Sequence, residues 1–148
     1  MFEMISPNGK STEQDILAFE KRHNIGLPKD YIDFLLKYNG GYSKQAVFNI
    51  SSENGNSLVN KFYGIGDMQG NLDRVIDNLD GELPDGFISI GYDPAGNEIC
   101  LGTKNSEYEG QVYFWVHDME SDLEMDNMFL LSPDFNSFLD NLYEDDEK

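Results

Sequence analysis

Apolar side chains recur along this chain at two different periods. Ile16, Phe19, Glu20 and His23 follow one another at helical spacing after Ser11-Thr12-Glu13-Gln14. Ser11 with Gln14, and Thr12 with the shorter Asp15, both have capping-box spacing, so a helix is predicted over about 12–23. Tyr31, Phe34, Leu35 and Tyr38 fall at i, i+3, i+4 and i+7 and make a second apolar face. That helix opens at Leu27-Pro28, where proline suits the first turn. It stops at Asn39-Gly40-Gly41, because glycine tolerates the left-handed backbone of a helix end. Leu72, Val75, Ile76 and Leu79 repeat the spacing over 72–79. Phe135, Phe138, Leu139 and Leu142 repeat it after Ser132-Pro133-Asp134.

Between these helices the pattern shortens to strand-like runs. Residues 46–50 and 58–65 are predicted strands, separated by the turn-rich stretch 51–56. Residues 87–90 and 98–101 flank Asp93-Pro94-Ala95-Gly96-Asn97, a tight turn. The run 111–117 is dense in β-branched and aromatic residues and is the clearest strand; a short one follows at 129–131. Strands joined by turns, rather than regularly alternated with helices, predict an α+β fold with an antiparallel or mixed sheet and helices packed on it.

Composition sharpens this picture. A length of 148 residues is one domain's worth, and 39% hydrophobic with 13% aromatic content suits a packed core. No linker, repeat or low-complexity segment divides the chain, so it reads as a single domain over 1–148, with its core at about 12–143 and an acidic tail at 144–148. No apolar run approaches the ~20 residues that span a bilayer. Residues 1–12 lack the basic flank and apolar stretch of a signal peptide. The one cysteine, Cys100, sits in the apolar stretch Ile99-Cys100-Leu101 and reads as a small core residue. These features together predict a cytoplasmic protein.

Charge adds a direction. The net charge is -18, and it is unevenly spread: 1–74 holds 9 acidic and 8 basic side chains, whereas 75–148 holds 19 acidic and 2 basic. Such a surface repels nucleic acid and anionic lipid and attracts basic proteins. Acidic residues also serve solubility alone.

Known chemical motifs are missing. His23 and His117 lie far apart and in no metal-ligand spacing. The sequence holds no cysteine pair, nucleophile elbow or Walker loop. Gly64-Ile65-Gly66-Asp67-Met68-Gln69-Gly70 lacks the setting of a dinucleotide fingerprint and reads as a tight turn. Asp93 to Glu98 lacks the ligand spacing of a calcium loop and reads as a hairpin turn. No catalytic residue, metal ligand or cofactor is therefore expected. Tyr42, Tyr63, Tyr92 and Tyr108 sit beside glycine-rich or polar turns, either as interface anchors or as partly buried packing.

The most unusual stretch is 118–126. Asp118, Glu120, Asp122, Glu124 and Asp126 occupy every second position. In an extended backbone they would share one side, roughly 7 Å apart, with Met119, Leu123 and Met125 facing the other way. Three readings are open: a solvated edge that prevents unwanted strand pairing, an acidic docking strip for a basic partner, and weak divalent-cation binding.

Taken in order, several stretches resemble the SMI1/KNR4, or SUKH, family. They are Ile16-Leu17-Ala18-Phe19-Glu20, Leu27-Pro28-Lys29-Asp30-Tyr31-Ile32-Asp33-Phe34-Leu35, Asn39-Gly40-Gly41 and Phe62-Tyr63-Gly64-Ile65. Leu83-Pro84-Asp85-Gly86-Phe87-Ile88-Ser89-Ile90-Gly91, Asp93 with Gly96-Asn97, Ile99-Cys100-Leu101, Gly110-Gln111-Val112-Tyr113-Phe114-Trp115 and the final helix complete the set. Each is weak alone; their order and spacing over about 12–143 are specific. The resemblance implies an α+β domain with a central mostly antiparallel sheet and flanking helices. It also implies a binding protein rather than an enzyme. Bacterial members are commonly immunity proteins that neutralise a cognate polymorphic toxin, often a nuclease. Fungal members act as scaffolds in cell-wall synthesis signalling, which is the alternative. The family's shared residues build the fold and supply no site residues. The expected partner is a basic toxin protein, with neither nucleic acid nor membrane bound.

Overall fold

The computed structural model of the protein describes residues 2–119 and 125–144. The chain runs β1 (Met4–Pro7), α1 (Glu13–His23), α2 (Lys29–Lys37), β2 (Gly41–Ser43), β3 (Val47–Ser51), β4 (Gly55–Leu58), β5 (Lys61–Phe62), α3 (Leu72–Asn78), β6 (Phe87–Tyr92), β7 (Glu98–Gly102), β8 (Val112–Trp115), β9 (Met128–Ser132) and α4 (Phe135–Asn141). Seven strands form one sheet in the order β1-β2-β5-β6-β7-β8-β9, and β3 pairs with β4 separately. All of these strand pairs are antiparallel. The architecture is α+β, as the pattern of short turn-linked strands predicts.

Local signals explain the helices. At α1 the two overlapping capping boxes compete, and Thr12–Asp15 forms: Thr12 Oγ1 accepts the Asp15 amide at 3.0 Å, and Asp15 accepts the Thr12 amide at 3.3 Å. Ser11 turns inward instead and donates to Asn39 Oδ1 at 2.6 Å. Pro28 is the residue before α2 rather than its first turn, because its extended ψ of 149° cannot continue a helix. Asn71 and Asp134 cap α3 and α4 through their side chains.

The core lies between the sheet and α1, α2 and α4. Ile16, Phe19, Tyr31, Phe34, Leu35, Phe135 and Phe138 pack against Ile90, Ile99, Leu101, Val112 and Phe114. Phe34 meets Phe62 at 5.2 Å and Phe135 at 5.1 Å between ring centres. Alternation along β7 and β8 sends Cys100, Tyr113 and Trp115 to the opposite face. There Phe87, Cys100, Trp115 and Met128 make a second, smaller cluster, with Leu79 and Leu83 beside it.

Some predicted boundaries are corrected. The run 58–65 is not one strand: β4 ends at Leu58 and β5 spans only two residues. The chain crosses between the two sheets there: the Val59 amide still bonds the Ala46 carbonyl beside β3, whereas the Asn60 amide bonds the Tyr92 carbonyl of β6. The run 111–117 shortens to β8, since His117 already belongs to the following turn. β1 and β2 have no counterpart in the sequence reading.

Candidate functional site

Three hairpins converge at one end of the sheet, and a buried carboxylate joins two of them. Asp93, 3% exposed, accepts the Ala95 amide at 3.0 Å, the Asn97 amide at 2.8 Å, Asn97 Nδ2 at 3.2 Å and Ser57 Oγ at 2.8 Å. The carboxylate therefore holds the β6–β7 turn and ties it to β4. The sequence reading of 93–97 as a hairpin turn holds.

The same turn fastens the β8–β9 loop. Asn97 Oδ1 accepts the His117 amide at 3.1 Å, and the His117 ring bonds the Ala95 carbonyl through Nε2 at 3.0 Å. Across the root of the loop, the Val116 amide donates to the Asn127 carbonyl, and Asn127 Nδ2 donates to the Val116 carbonyl. Asp118 and Asp126 are both exposed at this root. Glu120, Asp122 and Glu124, with Leu123, lie outside the described residues. The extended course assumed for 118–126 does not hold at its ends. The Met119 amide bonds back to Val116 and the Met128 amide to Met125, so both ends are turns. Met119 is 41% exposed, whereas Met125 packs on the Trp115–Met128 cluster.

Beside this end lies the sheet face that α1, α2 and α4 leave open. Register places Glu98, Trp115 and Met128 in one row across β7, β8 and β9, and Cys100, Tyr113 and Leu130 in the next. Exposure rises toward β9: Cys100 is fully buried and Leu130 is 53% exposed. Tyr108 stacks on Phe87 at 5.0 Å and meets Tyr113 edge-on. Glu98 Oε1 accepts from Tyr63 at 2.9 Å and Ser89 at 2.5 Å. Burial pushes the Glu98 carboxyl above its usual range, although both hydroxyls favour the ion. Burial likewise pushes the Tyr63 hydroxyl up, with the Glu98 charge adding to it. The Cys100 thiol is held far above its ordinary value, first by burial and then by Glu98, so it is no nucleophile. It is the core residue the sequence suggested.

Elsewhere, α1 meets the start of α3. Arg22 grips Asp73 with two bonds at 2.8 and 3.0 Å, and His23 bonds the same carboxylate. Burial works to raise the Asp73 carboxyl, but these partners prevail and hold it below its usual range. A hollow between α1 and 103–105 is lined by Glu20, Lys21 and Lys104, where Glu20 already accepts the Leu27 amide at 2.7 Å. Among the described residues, no group of three or more His, Cys, Asp or Glu side chains converges on a metal position, and none of their helices is long and apolar enough to cross a membrane. Of the tyrosines singled out, Tyr42 is 45% exposed and Tyr63 is buried at 6%; Tyr92 and Tyr108 are half-buried. Sequence reasoning missed Leu130. The apolar run at 129–131 flagged a strand but could not say that its outer side is uncovered.

The arrangement sets the exposed Asp118 and Asp126 at one end of the sheet, beside a face on which Leu130 is exposed. A family model described as "SMI1 / KNR4 family (SUKH-1)" matches residues 10–141. The chain is also 31% identical to the SPbeta prophage-derived uncharacterized protein YokK of Bacillus subtilis (strain 168), over 85% of this chain and 72% of that protein.

Proposed function

Since the chain belongs to the SMI1/KNR4 (SUKH-1) family, we propose that it is an immunity protein that binds and neutralises a cognate toxin, a basic nuclease domain, in the cytoplasm. One observation carries the basic partner: 19 acidic against 2 basic side chains over 75–148, with Asp118 and Asp126 exposed beside the open sheet face. A nuclease grips phosphate with cationic side chains, and an acidic protein competes for that surface. Attraction between the two speeds encounter, and buried anchors set the lifetime of the complex. Asp118, Glu120, Asp122, Glu124 and Asp126 act as the facing charges. No catalysis and no cofactor enter this function.

The test is capture of partners on the tagged protein from its source cells at low and high salt, followed by mass spectrometry. A basic toxin domain that is released as salt rises supports the reading. Recovery of non-toxin cellular proteins alone would transfer it to a regulatory scaffold. With the toxin in hand, lysine at all five acidic positions should slow association at least ten-fold at low salt and leave dissociation nearly unchanged. An unaltered association rate would remove these residues from the interface.

A further inference from the structure

The sheet ends in two edge strands of very different character. At one edge, β1 contains Pro7 and carries an irregularity in its register between Met4 and Ser6. Proline and irregular register are usual means of keeping an edge from pairing with another chain. At the other edge, β9 reads Met128-Phe129-Leu130-Leu131-Ser132, with neither charge nor proline inside it. Among the described residues it bonds a strand on one side only, β8. β3 comes close to β9, but it pairs with β4 instead. Leu130 projects from this edge on the open face at 53% exposure.

We infer that β9 is the strand to which an extended, cation-flanked segment of the protein partner adds. This rests on the protein-binding reading above and specifies its contact. Backbone bonds to β9 would supply the affinity of strand addition, and an apolar side chain of the segment would cover Leu130. The charges at the two ends of β9 select the occupant. Asp126 precedes the strand and Asp134 follows it, and no lysine or arginine occurs from 105 to 147. A second copy of this chain is a poor occupant. Antiparallel pairing of two β9 strands centred on Leu130 would set Asp126 of each copy opposite Asp134 of the other, and like charges directly opposed across strands are destabilising. Lysine or arginine at both ends of an incoming strand meets the same two aspartates favourably.

Hydrogen exchange of the full chain tests this, with an alternating valine–threonine peptide bearing lysines at both ends as the probe. Two control peptides carry glutamates in place of the lysines, or the same lysines with alternate backbone amides methylated. The expected result is at least ten-fold slower exchange of amides in 128–132 with the lysine peptide, and no such slowing with either control. Leu130→Lys puts a charge at an exposed position, keeps the fold, and should abolish the effect. Equal protection by the methylated peptide, or protection confined to 117–119 and 125–127, overturns strand addition and leaves the electrostatic reading standing. Failure of the lysine peptide to bind at millimolar concentration overturns both. A dimer in sedimentation that Leu130→Lys converts to monomer overturns the choice of occupant.

Discussion

Asp93 accepts the Ser57 hydroxyl at 2.8 Å across 36 residues of chain, and the same carboxylate holds two backbone amides of its own turn. This pairing fixes where the β8–β9 loop is rooted, because Asn97 and Ala95 of that turn bond His117. Asp93→Ala would take the acceptor from the Ala95 and Asn97 amides and from the Ser57 hydroxyl, all of which bond a carboxylate that is itself buried. A loss of about 2–4 kcal/mol is expected in urea unfolding. Asp93→Asn keeps one acceptor oxygen and should lose less. Equal losses for the two variants would mean that the turn does not depend on these bonds.

Asn39 plays the matching part at the other side of the core. It is buried, takes φ 54°, accepts Ser11 Oγ at 2.6 Å and the Ile65 amide at 2.8 Å, and donates to the Ile65 carbonyl at 2.8 Å. Asparagine tolerates left-handed backbone better than most residues. Asn39→Ala is expected to cost about 2–4 kcal/mol from the unpaired groups and the backbone together. Thermal and urea unfolding both report it.

Tyr31 offers a gain. Its ring is fully buried and its hydroxyl has no hydrogen-bond partner among the described residues; burial pushes that hydroxyl's pKa up. Tyr31→Phe removes the unpaired polar atom and keeps the packing on Phe34 and Phe135. Stability should rise by about 1 kcal/mol. A fall would show that the hydroxyl is satisfied in solution.

Two carboxylates give opposite pH dependence. Asp73 is held below the ordinary carboxylate value, so its stabilisation is present above ~4 and fades as pH falls through the folded-state pKa. Glu98 is held above it, so the folded protein binds its proton more tightly, and stability falls as pH rises between the unfolded and folded values. At pH 7, Asp73→Asn should therefore melt below the wild type and Glu98→Gln above it, since glutamine keeps an acceptor for Tyr63 and Ser89. Both differences should shrink as pH is lowered toward ~3. Melting curves at several pH values decide this.

Cys100 should resist a thiol reagent in the native protein and react at the rate of unfolding, because it is fully buried with its pKa raised by that burial. Fast native labelling would contradict its place in the sheet.

The helices were legible in the sequence because their signals are local. The Thr12–Asp15 capping pair and the apolar spacing of Tyr31, Phe34, Leu35 and Tyr38 act within a few residues of one another. The family was also legible, from motifs in order along the chain, and so was the acidic bias of 75–148, which is composition alone. β1 and β2 were not, since strands of three or four residues exist only through partners far away, as Met4 faces Ser43 and Gly41 faces Phe62. The same holds for the surface. Alternation and register send Cys100 and Leu130 to one face, but burying one and baring the other depends on strand order. The tertiary fold made β9 an edge and brought Asp93, Asn97 and His117 to one end, because hydrogen bonding across the sheet joins residues that the sequence keeps apart.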